Sequence, residues 1–300
     1  NDKGNGTITI DGRNSTSGAV RGINCAGSFN ISGGVLNVRN TTGYGIGGDA
    51  QGTDFNMTGG TLNIDHCGYN SDEGGFIWDN NECNFTAGEL NITNCGYSEF
   101  GSFYVQCPVT FGSNSDGAAP MTVNLSNNAS GTAELENTIF ISQKTSETSD
   151  AVNSITVNKS ATVNVTLTGT TGKRRGINTA GANIIIDGGK FIVNNTYTGN
   201  GDTYGIRGAN VDVKNGGVLD VSGTKYGVAA RGTDGTLTSE ADTLITLSGT
   251  DSDSSETKNT ITGGSVKMDD GSSVVKGVMT AAAKDLVDVQ PVNASGELLT

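Results

Sequence analysis

The chain has 300 residues, 46 of them Gly and only 3 Pro, and its 18 Lys and Arg stand against 31 Asp and Glu, a formal net charge of −13. Charged residues are only 16%, which argues against a coiled coil and against charge-driven disorder; Gly follows no strict triplet, which excludes collagen, and no stretch nears the roughly 20 apolar residues of a membrane helix. An acidic chain without a long basic run is a poor candidate for nucleic acid, and the single His66 removes most His-based catalysis and any poly-His metal site.

Val, Ile, Thr, Asn and Gly set the texture, so short strands and tight turns are expected. Thr7-Ile8-Thr9-Ile10-Asp11-Gly12 reads as the first strand. It would leave an open edge unless something caps it. Next come a short segment, Arg21-Gly22-Ile23-Asn24, and a longer run from Phe29 through Gly33-Gly34 to Val38. The pair recurs as Tyr44-Gly45-Ile46-Gly47 with Phe55 to Ile64, then as Phe76-Ile77-Trp78-Asp79 with Cys83 to Ile92. Phe103-Tyr104-Val105-Gln106 opens a further unit. Residues 111–155 lack the pattern and read as loops or irregular coils. It returns with Arg175-Gly176-Ile177-Asn178 and Ile184 to Val193, with Tyr204-Gly205-Ile206-Arg207 and Val211 to Val221, and with Tyr226-Gly227-Val228-Ala229. Residues 230–258 again lack it, and Ile261 to Met268 is a degraded copy.

Each unit of roughly 22–29 residues is therefore expected to hold three short strands, with the Gly pair making a corner. Alternate residues of a strand face opposite ways. Leu36, Leu62 and Leu90 then share one apolar face, and Asn37, Asn63 and Asn91 share the opposite one, as do Asn30, Asn56 and Asn84. Like sits over like from unit to unit, the pattern of a solenoid that no single coil can close alone. The fold class expected is all-β, one parallel β-solenoid domain over 1–300. The offset 175 − 21 = 154 between the two Arg-Gly-Ile-Asn segments suggests a duplication relating 1–150 to 151–300. A mature piece of a longer secreted protein is the expected context.

The three-strand coil resembles the right-handed parallel β-helices of the pectate-lyase-like superfamily, over roughly residues 5–110 and 155–270, and the Gly-Gly coils are similar to those of bacterial surface adhesins and carbohydrate-binding solenoids. The resemblance rests on coil pattern, not on a catalytic motif. It implies a cell-surface or extracellular home and a polysaccharide or host glycan as partner. Lyases of that family use acidic residues for Ca²⁺ and a basic residue to abstract a proton. Here no Lys or Arg lies between Arg39 and Lys144.

Five cysteines allow two readings. Cys67 aligns with Cys95 and Cys83 with Cys107, which would give inter-coil disulfides with Cys25 left over; the favoured reading is a buried ladder of free thiols. Trp78 is expected in the core, in one column with Ile23, Ile46 and Val105. Tyr104 has outward parity, and Tyr69 and Tyr97 fall in turns, where a ring offers a sugar a flat apolar face with a polar tip. The carboxylates Asp72, Asp79 and Glu82 complete the candidate ligand-binding set, with Asp72 and Glu73 as weak Ca²⁺ ligands. No other cofactor is expected. The function expected is a non-enzymatic, monomeric adhesin or polysaccharide-binding module; the alternatives are a polysaccharide lyase or glycoside hydrolase using those carboxylates, and a rigid stalk.

Overall fold

A computed structural model describes residues 6–13, 20–48, 52–68, 73–79, 81–96, 100–128, 135–142, 153–180, 182–208, 211–230, 237–239, 243–249, 259–262, 265–268 and 277–279. Among them there is no helix, hence none long and apolar enough to cross a membrane. The strands form two sheets, one of 17 strands and one of eight. The smaller takes one strand from each repeat, in chain order: Ile23–Cys25, Ile46–Gly48, Phe76–Trp78, Phe103–Val105, Leu135–Ser142, Lys173–Ala180, Thr203–Gly208 and Tyr226–Ala230. The larger takes the intervening runs, such as Phe29–Arg39, Asp54–Asp65 and Glu82–Cys95. Every ladder between these strands is parallel, each joining one repeat to the next.

Register carries the core. Leu36 pairs with Leu62 and Leu62 with Leu90, and the column runs on through Val123, Val163, Phe191, Leu219 and Ile245. From Leu62 to Ile245 its members are buried, most of them completely. In the strand Thr7–Asp11 the same column reaches Ile8, which is 65% exposed. Rings fill the space between the sheets: Phe76 stacks on Phe103 with centroids 4.9 Å apart, and Phe55 meets Phe76 edge-on at 4.9 Å. The inward faces expected from sequence parity are the buried ones. Burying one such side chain stabilises by about 1.5–3 kcal/mol, so the columns dominate the energetics.

The outward column beside it is an amide ladder. Asn63 Nδ2 donates to Asn37 Oδ1 at 2.8 Å, Asn91 to Asn63 at 2.8 Å, Asn124 to Asn91 at 2.8 Å and Asn164 to Asn124 at 2.9 Å. All four bonds point the same way, toward the preceding repeat. A second ladder joins Asn84 to Asn56 and Asn56 to Asn30.

Four expectations need correction. Three strands per unit imply three sheets, and two are found, because the Gly corners of the first repeats do not interrupt the hydrogen bonding: Phe29–Arg39 and Asp54–Asp65 pair along both sides of the corner, with register shifts there. Residues 111–155 are not outside the pattern; Met121–Asn127 and Leu135–Ser142 supply a full repeat to the two sheets. Within 230–258, Leu237–Ser239 and Leu244–Gly249 add two strands to the larger sheet. Trp78 is buried as expected, but its register partners are Gly48 and Val105, while Phe76 takes the place beside Ile46.

That last shift has a steric marker. A Cβ on Gly45 would lie 2.6 Å from Ile64 Cγ2 and 2.8 Å from the Gly75 carbonyl oxygen, and one on Gly75 would lie 2.7 Å from Cys95 Cβ. The small-sheet strand turns so close to the apolar column that only glycine fits, and Gly75 is the counterpart of Gly45. Gly45→Ala should therefore destabilise by about 1–3 kcal/mol through overpacking. Gly27, where a Cβ meets nothing within 4 Å, should tolerate Ala within about 0.5 kcal/mol. Urea titration of the two variants measures the difference.

Candidate ligand-binding face

In Phe76–Trp78 and Phe103–Val105 the flanking residues point in and the middle one points out. Phe76 and Trp78 are fully buried around a half-buried Ile77, and Phe103 and Val105 around Tyr104. Ile139 and Ile141 likewise enclose Phe140. Register lines up the outward residues as Asn24, Gly47, Ile77, Tyr104, Phe140, Asn178 and Arg207. Neighbours in such a column are ~4.8 Å apart.

The centre of that column is aromatic. The Tyr104 and Phe140 rings stack with centroids 5.4 Å apart and planes 16° from parallel. Phe100, in the turn before Phe103, packs against both at 5.1 and 6.3 Å. One rim is polar: the Tyr104 hydroxyl lies 3.3 Å from Ser142 Oγ, and Gln106 Nε2 donates to the same oxygen at 2.9 Å. Asp79 follows Trp78 in the strand beside Gln106, whose N–H donates to the Trp78 carbonyl at 3.0 Å. Burial first, and then the Asp79 charge, push the Tyr104 phenol above its ordinary value, against the lowering effect of Ser142. Beyond Phe140 the face turns polar. Asn178 is 5% exposed and its Oδ1 has no hydrogen-bond partner. Arg207 stands in the next strand.

The sequence-chosen residues separate on this frame. Tyr104 lies on the platform and Asp79 at its rim. Tyr69, Tyr97 and Asp72 lie outside the described residues. Glu82 is exposed at the start of Glu82–Cys95 in the other sheet, in register with Asp54. Asp79 and Glu82 thus belong to different sheets. Glu73 is engaged as an inter-repeat clamp: Arg21 Nη2 donates to Oε1 at 2.8 Å and the Tyr44 N–H to Oε2 at 3.0 Å. Among the described residues no group of three or more His, Cys, Asp and Glu is placed to hold a metal ion.

Phe100 and Phe140 are the residues that sequence reasoning missed. A signal existed for Phe140: Ile139-Phe140-Ile141 repeats the apolar–aromatic–apolar order of Phe103-Tyr104-Val105. The thiols are free, as the favoured reading has it, and the aligned pairs lie close together, but the register partner of Cys83 is Val109 and not Cys107. No protein-family model, curated protein or solved structure matches this chain.

Because the Asp79 carboxylate disfavours the tyrosinate, Asp79→Asn should lower the Tyr104 pKa toward the ordinary value of about 10. An NMR titration of ring-labelled tyrosine, with Tyr104→Phe to assign the signal, checks the sign.

Proposed function

We propose that the protein is a non-enzymatic polysaccharide-binding module of a cell-surface protein, wound as a right-handed parallel β-helix, and that the outward face of the eight-stranded sheet holds the glycan. The observation that carries this reading is the half-exposed Tyr104–Phe140 stack beside the Gln106, Ser142 and Asp79 rim. The apolar face of a pyranose lies flat on such rings, while the rim supplies an amide, a hydroxyl and a carboxylate for its hydroxyl groups. A column with one residue per repeat suits a chain-like ligand laid across the strands, contacting several sugars. A contiguous cluster of partly exposed aromatics needs a reason, and ligand binding supplies one.

Binding without cleavage is favoured over hydrolysis. A glycoside hydrolase sets two carboxyl groups on either side of one bond. Here Asp79 stands by Tyr104, whereas Glu82 stands over Asp54 on the other sheet.

Calorimetric titration with soluble plant, bacterial and host polysaccharides tests the reading. Tyr104→Ala and Phe140→Ala should each weaken binding about tenfold or more, the equivalent of about 1.4 kcal/mol. Glu82→Gln should leave it unchanged. Equal binding by the ring variants, or binding to none of the polysaccharides, would overturn the assignment.

A further inference from the structure

Four of the five cysteines are buried, and they form two close pairs of different geometry. Cys67 and Cys95 occupy equivalent corner positions 28 residues apart, each just after a residue of positive φ, His66 and Asn94. Cys67 Sγ lies 3.4 Å from its own Asp65 carbonyl oxygen, Cys95 Sγ lies 3.1 Å from that of Thr93, and the Cys67 N–H points at Cys95 Sγ at 3.3 Å. The two thiols also touch each other, but a Cys67–Cys95 bond would pull both sulfurs away from these backbone contacts.

Cys83 and Cys107 differ. Cys83 is in register with Val109, so Cys107 lies two residues earlier, before the strand Val109–Phe111 begins. The offset lets the two side chains meet instead of stacking. Their sulfurs are 3.6 Å apart, both sealed in the core. A bond of about 2.05 Å requires the two sulfurs to close the remaining gap from 3.6 Å.

We propose that Cys83 and Cys107 are a cross-linking site, joined as an inter-repeat disulfide when the chain folds in the presence of a disulfide oxidant, while Cys67 and Cys95 remain thiols. One cysteine thiolate attacks the oxidant's S–S bond, forming a mixed disulfide and releasing one thiolate. The second cysteine thiolate then attacks the protein sulfur of the mixed disulfide, forming the Cys83–Cys107 bond and releasing the other thiolate. Two S–H bonds are lost, one S–S bond is exchanged for another, and the two protons pass to the released thiolates. Burial pushes the Cys83 thiol well above its ordinary value, so the reaction belongs to the folding chain, before the repeat closes. The bond would close one repeat, 107 − 83 = 24 residues, and restrict the unfolded chain. It would also fix the bend next to Gln106, on the rim of the aromatic face.

The test is peptide mapping of the full chain under non-reducing conditions, after alkylation of free thiols, from two sources: export to an oxidising periplasm and expression in a reducing cytoplasm. The oxidising preparation should give one cross-linked peptide pair, Cys83 with Cys107, and alkylated Cys25, Cys67 and Cys95. The reducing preparation should give five alkylated thiols. The oxidised form should melt higher, and reductant should abolish the difference. A Cys67–Cys95 link, or five free thiols in the oxidising preparation, would overturn the proposal. Neither result depends on a variant that folds, and neither bears on glycan binding.

Discussion

Everything in this molecule depends on parallel, in-register stacking of one repeat on the next. The ladder fixes which residue sits above which, and the period of two along each strand fixes which way it points. A slip of one residue would exchange every inward and outward side chain. That is why Leu36, Leu62 and Leu90 form a single column and why Asn37, Asn63 and Asn91 form its mirror on the other face. The apolar columns provide the stabilisation, and the amide ladders let a long polar face satisfy itself without loops. Close approach of the two sheets at the corner adds a steric rule, met by glycine at Gly45 and Gly75.

The same constraint sets what the outward face of the smaller sheet displays. Whatever one repeat displays there, the next displays about 4.8 Å further on. Along the larger sheet that display is, from Asn37 to Asn164, a column of amides bonded to one another. Along the smaller sheet it becomes Ile77, Tyr104 and Phe140, then Asn178 and Arg207. Charge changes along the same line: residues 40–143 hold 12 acidic and no basic residues, and 159–225 hold eight basic against four acidic. The aromatic stack lies in the acidic part and its polar extension in the basic part, so one extended ligand would meet both environments.

How much of this can be read from sequence follows from what marks register. Parity exposes the inward set of the longer runs, because Phe55 and Met57 alternate with polar residues before the Gly59-Gly60 corner and Leu62 and Ile64 do so after it. The short strands are harder. Phe76-Ile77-Trp78 offers two apolar positions that could sit over Ile46, and aligning the aromatic Phe76 with Tyr44 chooses the wrong one; the glycine before it, matched to Gly45, chooses correctly. Residues 111–155 hide a full repeat because longer connections spread its strands, although Met121-Thr122-Val123-Asn124-Leu125 keeps the apolar–Asn–apolar order. The offset of Cys107 from Cys83 is invisible to alignment, since Cys-Asn-Phe-Thr and Cys-Pro-Val-Thr look equivalent and only the ladder to Val109 separates them.

A stack of near-identical repeats has a weakness: one column of leucines accepts another almost equally well one repeat away. The corner that holds Cys67 and Cys95 answers it further along the chain. Asn127 takes the next place above Cys95. Its Oδ1 accepts the Thr168 N–H at 2.8 Å, and its Nδ2 reaches the Thr168 carbonyl at 3.0 Å. Beside it Glu136 and Arg174 form a buried pair, with Arg174 Nη2 3.6 Å from Glu136 Oε2 and its Nε donating to the Thr168 carbonyl at 3.2 Å. Such a pair adds little net stability over apolar residues of the same size, because both ions must leave water. Separating them by misregistering one repeat would bury each charge without its partner, a cost of about 3–5 kcal/mol. The greasy columns thus tolerate many alignments, and this one ion pair, placed near the middle of the array, penalises all but one.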